Sequence, residues 1–170
     1  MEKIVLVDEL DNEIGVEEKI KVHQLGLLHR AFSVFIFNDK NEMLLQQRAF
    51  NKYHSGGLWT NACCSHPHKN ETVINAAKRR LQEELGFITE LTTAFHFIYK
   101  TTFENGLIEH EYDYVLIGYY NQKITPNITE VANYKFISLQ EVEKELQQNP
   151  AHFTEWFKIA YPKVKSFSCE

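Results

Sequence analysis

Cysteine is scarce in this chain and odd in number, 3 of 170 residues, with Cys63 and Cys64 adjacent. An even disulfide framework is therefore excluded, and free thiols in a reducing compartment are the expectation. Glycine and proline are also few, 7 and 4, and neither a low-complexity linker nor an internal repeat is present. Positive charge is not in excess: 18 Lys and Arg face 23 Asp and Glu, a net charge of -5. No global positive field exists to hold nucleic acid or an anionic membrane, so an anionic ligand needs a local basic cluster. Long apolar runs are missing as well. The N-terminal run is too short for a secretory signal and nothing later approaches the length that spans a bilayer, so a cytoplasmic protein with no membrane or nucleic-acid partner is expected.

What is present is 44% hydrophobic and 13% aromatic residues, enough for one packed core and too little for two, so a single domain over residues 1–170 is expected. Residues 4–7 read as a strand ending in the turn-forming pair Asp11-Asn12. The polar stretch that leads through Lys19 and Lys21 to His23 has no clear period. The β-branched and aromatic run 31–37, the turn 38–41 and the run 43–48 predict a hairpin. A loop with Gly56-Gly57 then precedes a short strand within 58–64, stopped by Pro67. Val73, Ala77, Leu81 and Leu85 recur every four residues ahead of Gly86, which predicts a helix with a C-terminal glycine. Strands follow at about 94–103 and 109–120 around the turn Glu104-Asn105-Gly106, and again at 134–137. Ser138 opens a helix to about residue 148, Pro150 breaks it, and a last amphipathic helix runs from 153 to about 165, with Pro162 placed to shorten or kink it. The class is α/β or α+β, a mixed β-sheet packed between α-helices.

Three groups of residues carry chemistry. On the first helix, Arg80 and Glu84 stand one turn apart, as do Arg79 and Glu83. Surface ion pairs explain them equally well in isolation, but a carboxylate beside a guanidinium also suits a magnesium diphosphate. Glu109 and Glu111 alternate with His110 in a strand, so both carboxylates project from one face, and Asp113 follows on it. A solvated sheet accounts for that pair too. With His23, His29 and His66, however, the two carboxylates suffice for an octahedral nitrogen–oxygen metal site. Cys64, between a strand end and His66-Pro67, is placed for a thiol at a pocket mouth activated by nearby positive charge, whereas Cys63 on the opposite strand face is expected to be buried and inert.

The run Thr60-Asn61-Ala62-Cys63-Cys64-Ser65-His66-Pro67, taken with Glu109-His110-Glu111-Tyr112-Asp113-Tyr114, resembles the two active-site motifs of type 1 isopentenyl-diphosphate isomerases. The helix between them resembles a Nudix box, and the likeness extends over about residues 19–156. It implies a Nudix-like fold and interconversion of isopentenyl and dimethylallyl diphosphate by protonation and deprotonation. By resemblance, Cys64 and Glu111 are the catalytic pair, with Tyr99 a hydroxyl beside Glu111. His23, His29, His66, Glu109 and Glu111 match ligands of a divalent metal, zinc, manganese or magnesium. Glu84 and the Cys64 carbonyl match the binding of a magnesium ion that carries the diphosphate. Lys19, Arg48, Lys52 and Arg80 match the basic residues that meet the diphosphate, and Trp156 an aromatic wall over the reacting carbons, although a core tryptophan on an amphipathic helix explains it as well. The small-molecule prenyl diphosphate is the partner implied, and the oligomeric expectation is a monomer or weak homodimer.

The chemistry gives these residue types a reason. Moving a double bond by one carbon adds a proton at one end of the allyl unit and removes one at the other, through a tertiary carbocation, so two proton-transfer groups are needed. Cys64 is expected to serve as one, with a pKa lowered from the free value of about 8.5. The resemblance has departures. A Nudix box usually opens with glycine and places glutamate after the arginine; Ser65 and Arg80 stand there instead, which removes a ligand of the cluster that hydrolyses diphosphates. Leu107-Ile108 replaces a tryptophan common just before the first motif glutamate. The rivals are a Nudix diphosphohydrolase of a nucleoside diphosphate derivative, using Glu83 and Glu84 for metal, and a non-catalytic module whose metal serves folding only.

Overall fold

A computed structural model describes residues 1–168. Cys63 and Cys64 are free thiols there, and the third cysteine, Cys169, lies outside the described residues. Strands β1 (Lys3–Val7) and β2 (Glu13–Glu18) pair antiparallel. Asp11 turns the chain between them at φ 64°, a conformation that aspartate tolerates. The stretch without a clear period is a short helix, α1 (Lys19–Leu25), closed by Gly26 in the left-handed conformation.

Strand β3 (His29–Phe37) is the centre of the sheet, and β4 (Met43–Arg48) follows it. The hairpin expected over these runs exists only at its turn, where Phe37 faces Met43. Beyond that point the strands part, because β3 is claimed on its edges by others. The expected short strand 58–64 is in fact two, β5 (Trp59–Thr60) on β4 and β6 (Cys63–Ser65) on β3. The chain crosses the split at Asn61 and Ala62, both fully buried.

Helix α2 (Val73–Leu85) starts where the Thr72 hydroxyl accepts a hydrogen bond from the Asn75 amide and ends at Gly86 with φ 76°. A Cβ at Gly86 would stand 2.5 Å from the Thr125 carbonyl oxygen. Strands β7 (Leu91–Thr102) and β8 (Ile108–Tyr119) form the long antiparallel pair around residues 104–106, and β8 runs parallel to β3. Strand β9 (Val131–Ile137) pairs with β4, then α3 (Leu139–Gln148) follows its Ser138 cap. Helix α4 (Glu155–Ser168) begins where the Thr154 hydroxyl accepts from the Phe157 amide, two residues later than the pattern predicts, and continues through Pro162.

Strand alternation divides the core in two. Phe32, Val34 and Ile36 pack with Leu81 and Leu85 of α2, while Phe35 and Phe37 pack with Phe157, Tyr161 and Val164 of α4. The mixed sheet therefore lies between helices, as expected. Leu81 is fully buried, so Leu81→Ala is expected to cost about 2–5 kcal/mol in urea unfolding; a loss below about 1 kcal/mol would mean that the α2 layer collapses into the space. Among the described residues no helix is long and apolar enough to cross a membrane.

Candidate active site

Strand register assembles the site. The parallel β3–β8 pairing sets His29 beside Glu111, and the antiparallel β7–β8 pairing sets Tyr99 on the other side of it. The β3–β6 pairing sets Cys64 beside Ser33. Cys64, His66, Tyr99, Glu109, Glu111 and Trp156 line one pocket, together with Lys19, Arg48, Lys52, Arg80 and Glu84. His23 and His29 are fully buried and join it through the histidine–carboxylate cluster. The structure thus brings together the residues that the resemblance names as catalytic, metal-ligating and substrate-binding, scattered over residues 19–156, and leaves Arg79, Glu83 and Cys63 outside the pocket.

His23, His29, His66 and Glu109 each offer one ligand atom within 4.8 Å of the others. The imidazole tautomers suit a metal. His23 Nδ1 donates to the Lys19 carbonyl (2.6 Å) and His29 Nδ1 to the Leu27 carbonyl (2.9 Å), so in the neutral rings both Nε2 lone pairs face inward. His29 Nε2 and Glu109 Oε2 are buried with no hydrogen-bond partner and lie 3.6 Å apart. Such orphaned atoms are costly unless something fills the space between them. Glu111 adjoins the same group, with Oε1 3.2 Å from His66 Nε2 and 3.6 Å from His29 Nε2. These residues are positioned to hold a divalent metal.

Charge in the cluster is set by these contacts. Burial alone would raise the Glu109 carboxyl, but hydrogen bonds from His23 and His54 outweigh it and hold the group well below the usual carboxylate range. Burial likewise opposes charge on His23, yet Glu109 wins and its pKa rises. For His66 burial dominates over the bond to Glu111, pulling the imidazole down to about 4. Tyr99 is pushed up by burial and by Glu111, so its hydroxyl stays protonated and donates to Glu111 Oε2 at 2.7 Å.

Cys64 departs from expectation. Its pKa is not lowered; burial first, then the neighbouring Asp113 and Glu111 carboxyls, push it up against the weaker help of Ser33 and Asn61. The group is a thiol held in place. It donates to Asn61 Oδ1 (3.2 Å) and receives the Trp156 indole N–H (3.0 Å), with the Ser33 hydroxyl 3.6 Å away. Asn61 cannot turn, because its amide nitrogen is bonded to the carbonyls of Val34 and Cys63 at 3.0 Å each. Cys63 faces the α2 layer, fully buried, with a pKa raised well above the ordinary thiol value by burial. The opposite orientation of the two cysteines follows from strand alternation.

On the polar side of the pocket, Arg80 bonds Glu84 (2.7 Å) and Glu83 (2.5 Å). Glu84 also accepts from Gln46 (2.8 Å). Arg79 turns away to Glu71, making two bonds of 2.8 and 2.9 Å. Glu130 lies between Lys52 and Arg80, and Lys19 reaches Glu2 at 3.0 Å. Arg48 has no carboxylate partner in these contacts; it stacks on Trp156 at 5.2 Å, and its Nε, like that of Arg80, is buried without a partner. Sequence reasoning passed over Gln46, His54 and Glu130, which sit in loops or in a strand with no motif of their own. His54 lies in the loop between the basic residues and the cysteine motif, and only folding brings it to Glu109.

Together, fold and site define a Nudix-domain protein with a buried histidine–glutamate group positioned to hold a metal. The NUDIX domain family model matches residues 27–157. Among solved structures, a Deinococcus radiodurans protein superposes with TM-score 0.77 at 13% identity over 95% of this chain and 98% of that one. A MutT protein from Methanosarcina mazei does so with TM-score 0.68 at 18% identity over 84% and 96%. Those likenesses establish the fold. Within it, the sequence is 48% identical to the isopentenyl-diphosphate Delta-isomerase of Serratia proteamaculans over 92% of this chain and 87% of that protein. It is 46% identical to the Burkholderia multivorans enzyme of the same name over 92% and 89%. The chain belongs to the isopentenyl-diphosphate Delta-isomerase family.

Proposed function

We propose that the protein interconverts isopentenyl diphosphate and dimethylallyl diphosphate, with Cys64 and Glu111 as the proton-transfer pair. The observation that carries this reading is that the two groups reach one pocket from strands on opposite sides of β3, at positions set by register. Glu111, bonded by Tyr99, exchanges a proton at one end of the allyl unit, and the Cys64 thiol acts at the other; in the reverse direction the roles exchange. The Trp156 ring faces the tertiary cation between them, an attraction on the order of 2 kcal/mol when desolvated. Its indole N–H meanwhile anchors the thiol. Tyr99 and Trp156 are buried, consistent with a wall that keeps water from trapping the cation.

His23, His29, His66, Glu109 and Glu111 would hold zinc, manganese or magnesium, which supplies a fixed positive charge beside Glu111. Glu84 and the Cys64 carbonyl would hold the magnesium that accompanies the diphosphate. Arg48, Arg80, Lys19 and Lys52 bind the diphosphate itself, taking up the guanidinium nitrogens that lack partners and displacing Glu130 and Glu2. Arg80→Ala is expected to raise KM about 10- to 100-fold while kcat stays within a few-fold, since a charged hydrogen bond to phosphate is made in ground and transition states alike. An unchanged KM in steady-state assays would remove Arg80 from the site.

The decisive test is incubation with isopentenyl diphosphate and magnesium in deuterated water, followed by proton NMR. Dimethylallyl diphosphate carrying deuterium in a methyl group supports the proposal. Phosphate release without isomerisation would replace it with a diphosphohydrolase.

A further inference from the structure

His54 stands outside every role assigned above. It lies in the loop between β4 and β5, is 8% exposed, and its Nε2 is 3.0 Å from Glu109 Oε1. Its hydrogen bonding differs from that of His23 and His29. A carboxylate only accepts, so a neutral His54 must carry its proton on Nε2, leaving Nδ1 to accept from the Ser55 hydroxyl at 3.2 Å. His23 and His29 have the opposite arrangement, with Nδ1 given to backbone carbonyls. His54 is therefore a donor to the cluster and not one of its ligands.

Its ring is clamped from three directions. Phe103 stacks on it at 4.5 Å and 11°, Tyr53 meets it edge-on at 4.5 Å, and Trp156 stands perpendicular at 5.9 Å. The His54 carbonyl also accepts from Arg48 Nη2 at 3.3 Å. A side chain so confined fixes whatever it bonds. Glu109 Oε1 accepts from His54 and lies 3.1 Å from His23 Nε2, which leaves Oε2 directed at His29.

We infer that His54 is a positioning residue of the metal centre, acting through Glu109: its Nε2–H holds one carboxylate oxygen so that the other is presented to the metal. The inference rests on the reading of Glu109 as a ligand. Outer partners of this kind typically change metal affinity 10- to 100-fold when removed. Their effect is on the ligand's orientation and not on the ion directly.

The test compares His54→Leu and His54→Gln with the wild-type protein. Each is stripped of metal, checked for its melting temperature, and titrated with zinc and cobalt against a chromophoric chelator, with the cobalt visible spectrum as a second readout. Leucine fills the aromatic clamp but has no donor; glutamine places an amide N–H near the position of Nε2. The expected result is a 10- to 100-fold loss of affinity and an altered cobalt spectrum in His54→Leu, largely restored in His54→Gln, with metal-free melting temperatures near wild type. Wild-type affinity in His54→Leu, or equal weakness in both variants, would overturn the inference and leave His54 a packing residue. A wild-type protein that binds no ion, with His29→Ala behaving identically, would instead overturn the metal reading on which it rests.

Discussion

Cys64→Ala and Glu111→Gln are each expected to lower isomerisation at least ~100- to 10,000-fold, the usual contribution of a positioned acid or base, while the protein stays folded. Cys64 lies outside the two core clusters that flank the sheet. The change leaves the Trp156 N–H and Asn61 Oδ1 without their sulfur partner, a cost of about 1–3 kcal/mol. Glu111→Gln keeps the size of the side chain and an oxygen to accept from Tyr99, but it cannot exchange a proton. Cys63→Ala is the internal control, since that thiol lies in the α2 layer away from the pocket. The rate is read by NMR of the diphosphate and the fold by thermal melting. Near-normal turnover in either Cys64→Ala or Glu111→Gln would sink the mechanism, whatever the family.

A second large effect is expected from pH on the metal-free protein. Burial depresses His66 to about 4 in the folded chain, against about 6.5 when unfolded. Between those values the unfolded state binds a proton that the folded state refuses, so His66 by itself lowers stability as pH falls from about 6.5 to about 4. At ~1.4 kcal/mol per pH unit the loss is a few kcal/mol. His54, also depressed by burial, acts in the same direction. His23 acts in the other: raised by Glu109 against its burial, it contributes stability that is complete below about 6.5 and lost as pH rises through its folded pKa. Asp113, raised well above the usual carboxylate range by burial and by Glu111, opposes His66 across the window, because the folded state there holds a proton that the unfolded state has lost; the His66 share is therefore the difference between the wild type and His66→Gln. Urea unfolding of chelator-treated protein at intervals of pH reads the slope, and His66→Gln removes the largest part of it. Identical profiles in the wild type and His66→Gln over that window would show that His66 accepts its proton without leaving the fold.

Much of this was readable before any coordinates. The four-residue period of Val73, Ala77, Leu81 and Leu85 specifies α2, and the alternation of Glu109, Glu111 and Asp113 specifies one face of β8, because helix and strand periods are properties of local backbone geometry. The odd number of cysteines and the sign of the net charge set the expectations of free thiols and of no global positive field without reference to folding. The paired motifs around Cys64 and Glu111 point to the family, which the relatives bear out.

Other features were beyond that reach. The β3–β4 hairpin opens after one residue pair because β6 and β8 occupy the flanks of β3, and no local pattern records which distant strand will win an edge. The direction of the Cys64 shift reversed for the same reason: adjacent residues show a thiol near polar neighbours, whereas packing buries it and sets it beside the Asp113 and Glu111 carboxyls. His54 looks like one more loop histidine until the fold lays it against Glu109 and closes Phe103 and Trp156 around it. The sequence by itself determined the side chains proposed here for proton transfer and metal binding, and the faces of the elements that carry them. The tertiary structure decided their distances, their tautomers and their charges, because register between remote strands and exclusion of water exist only once the whole sheet has packed.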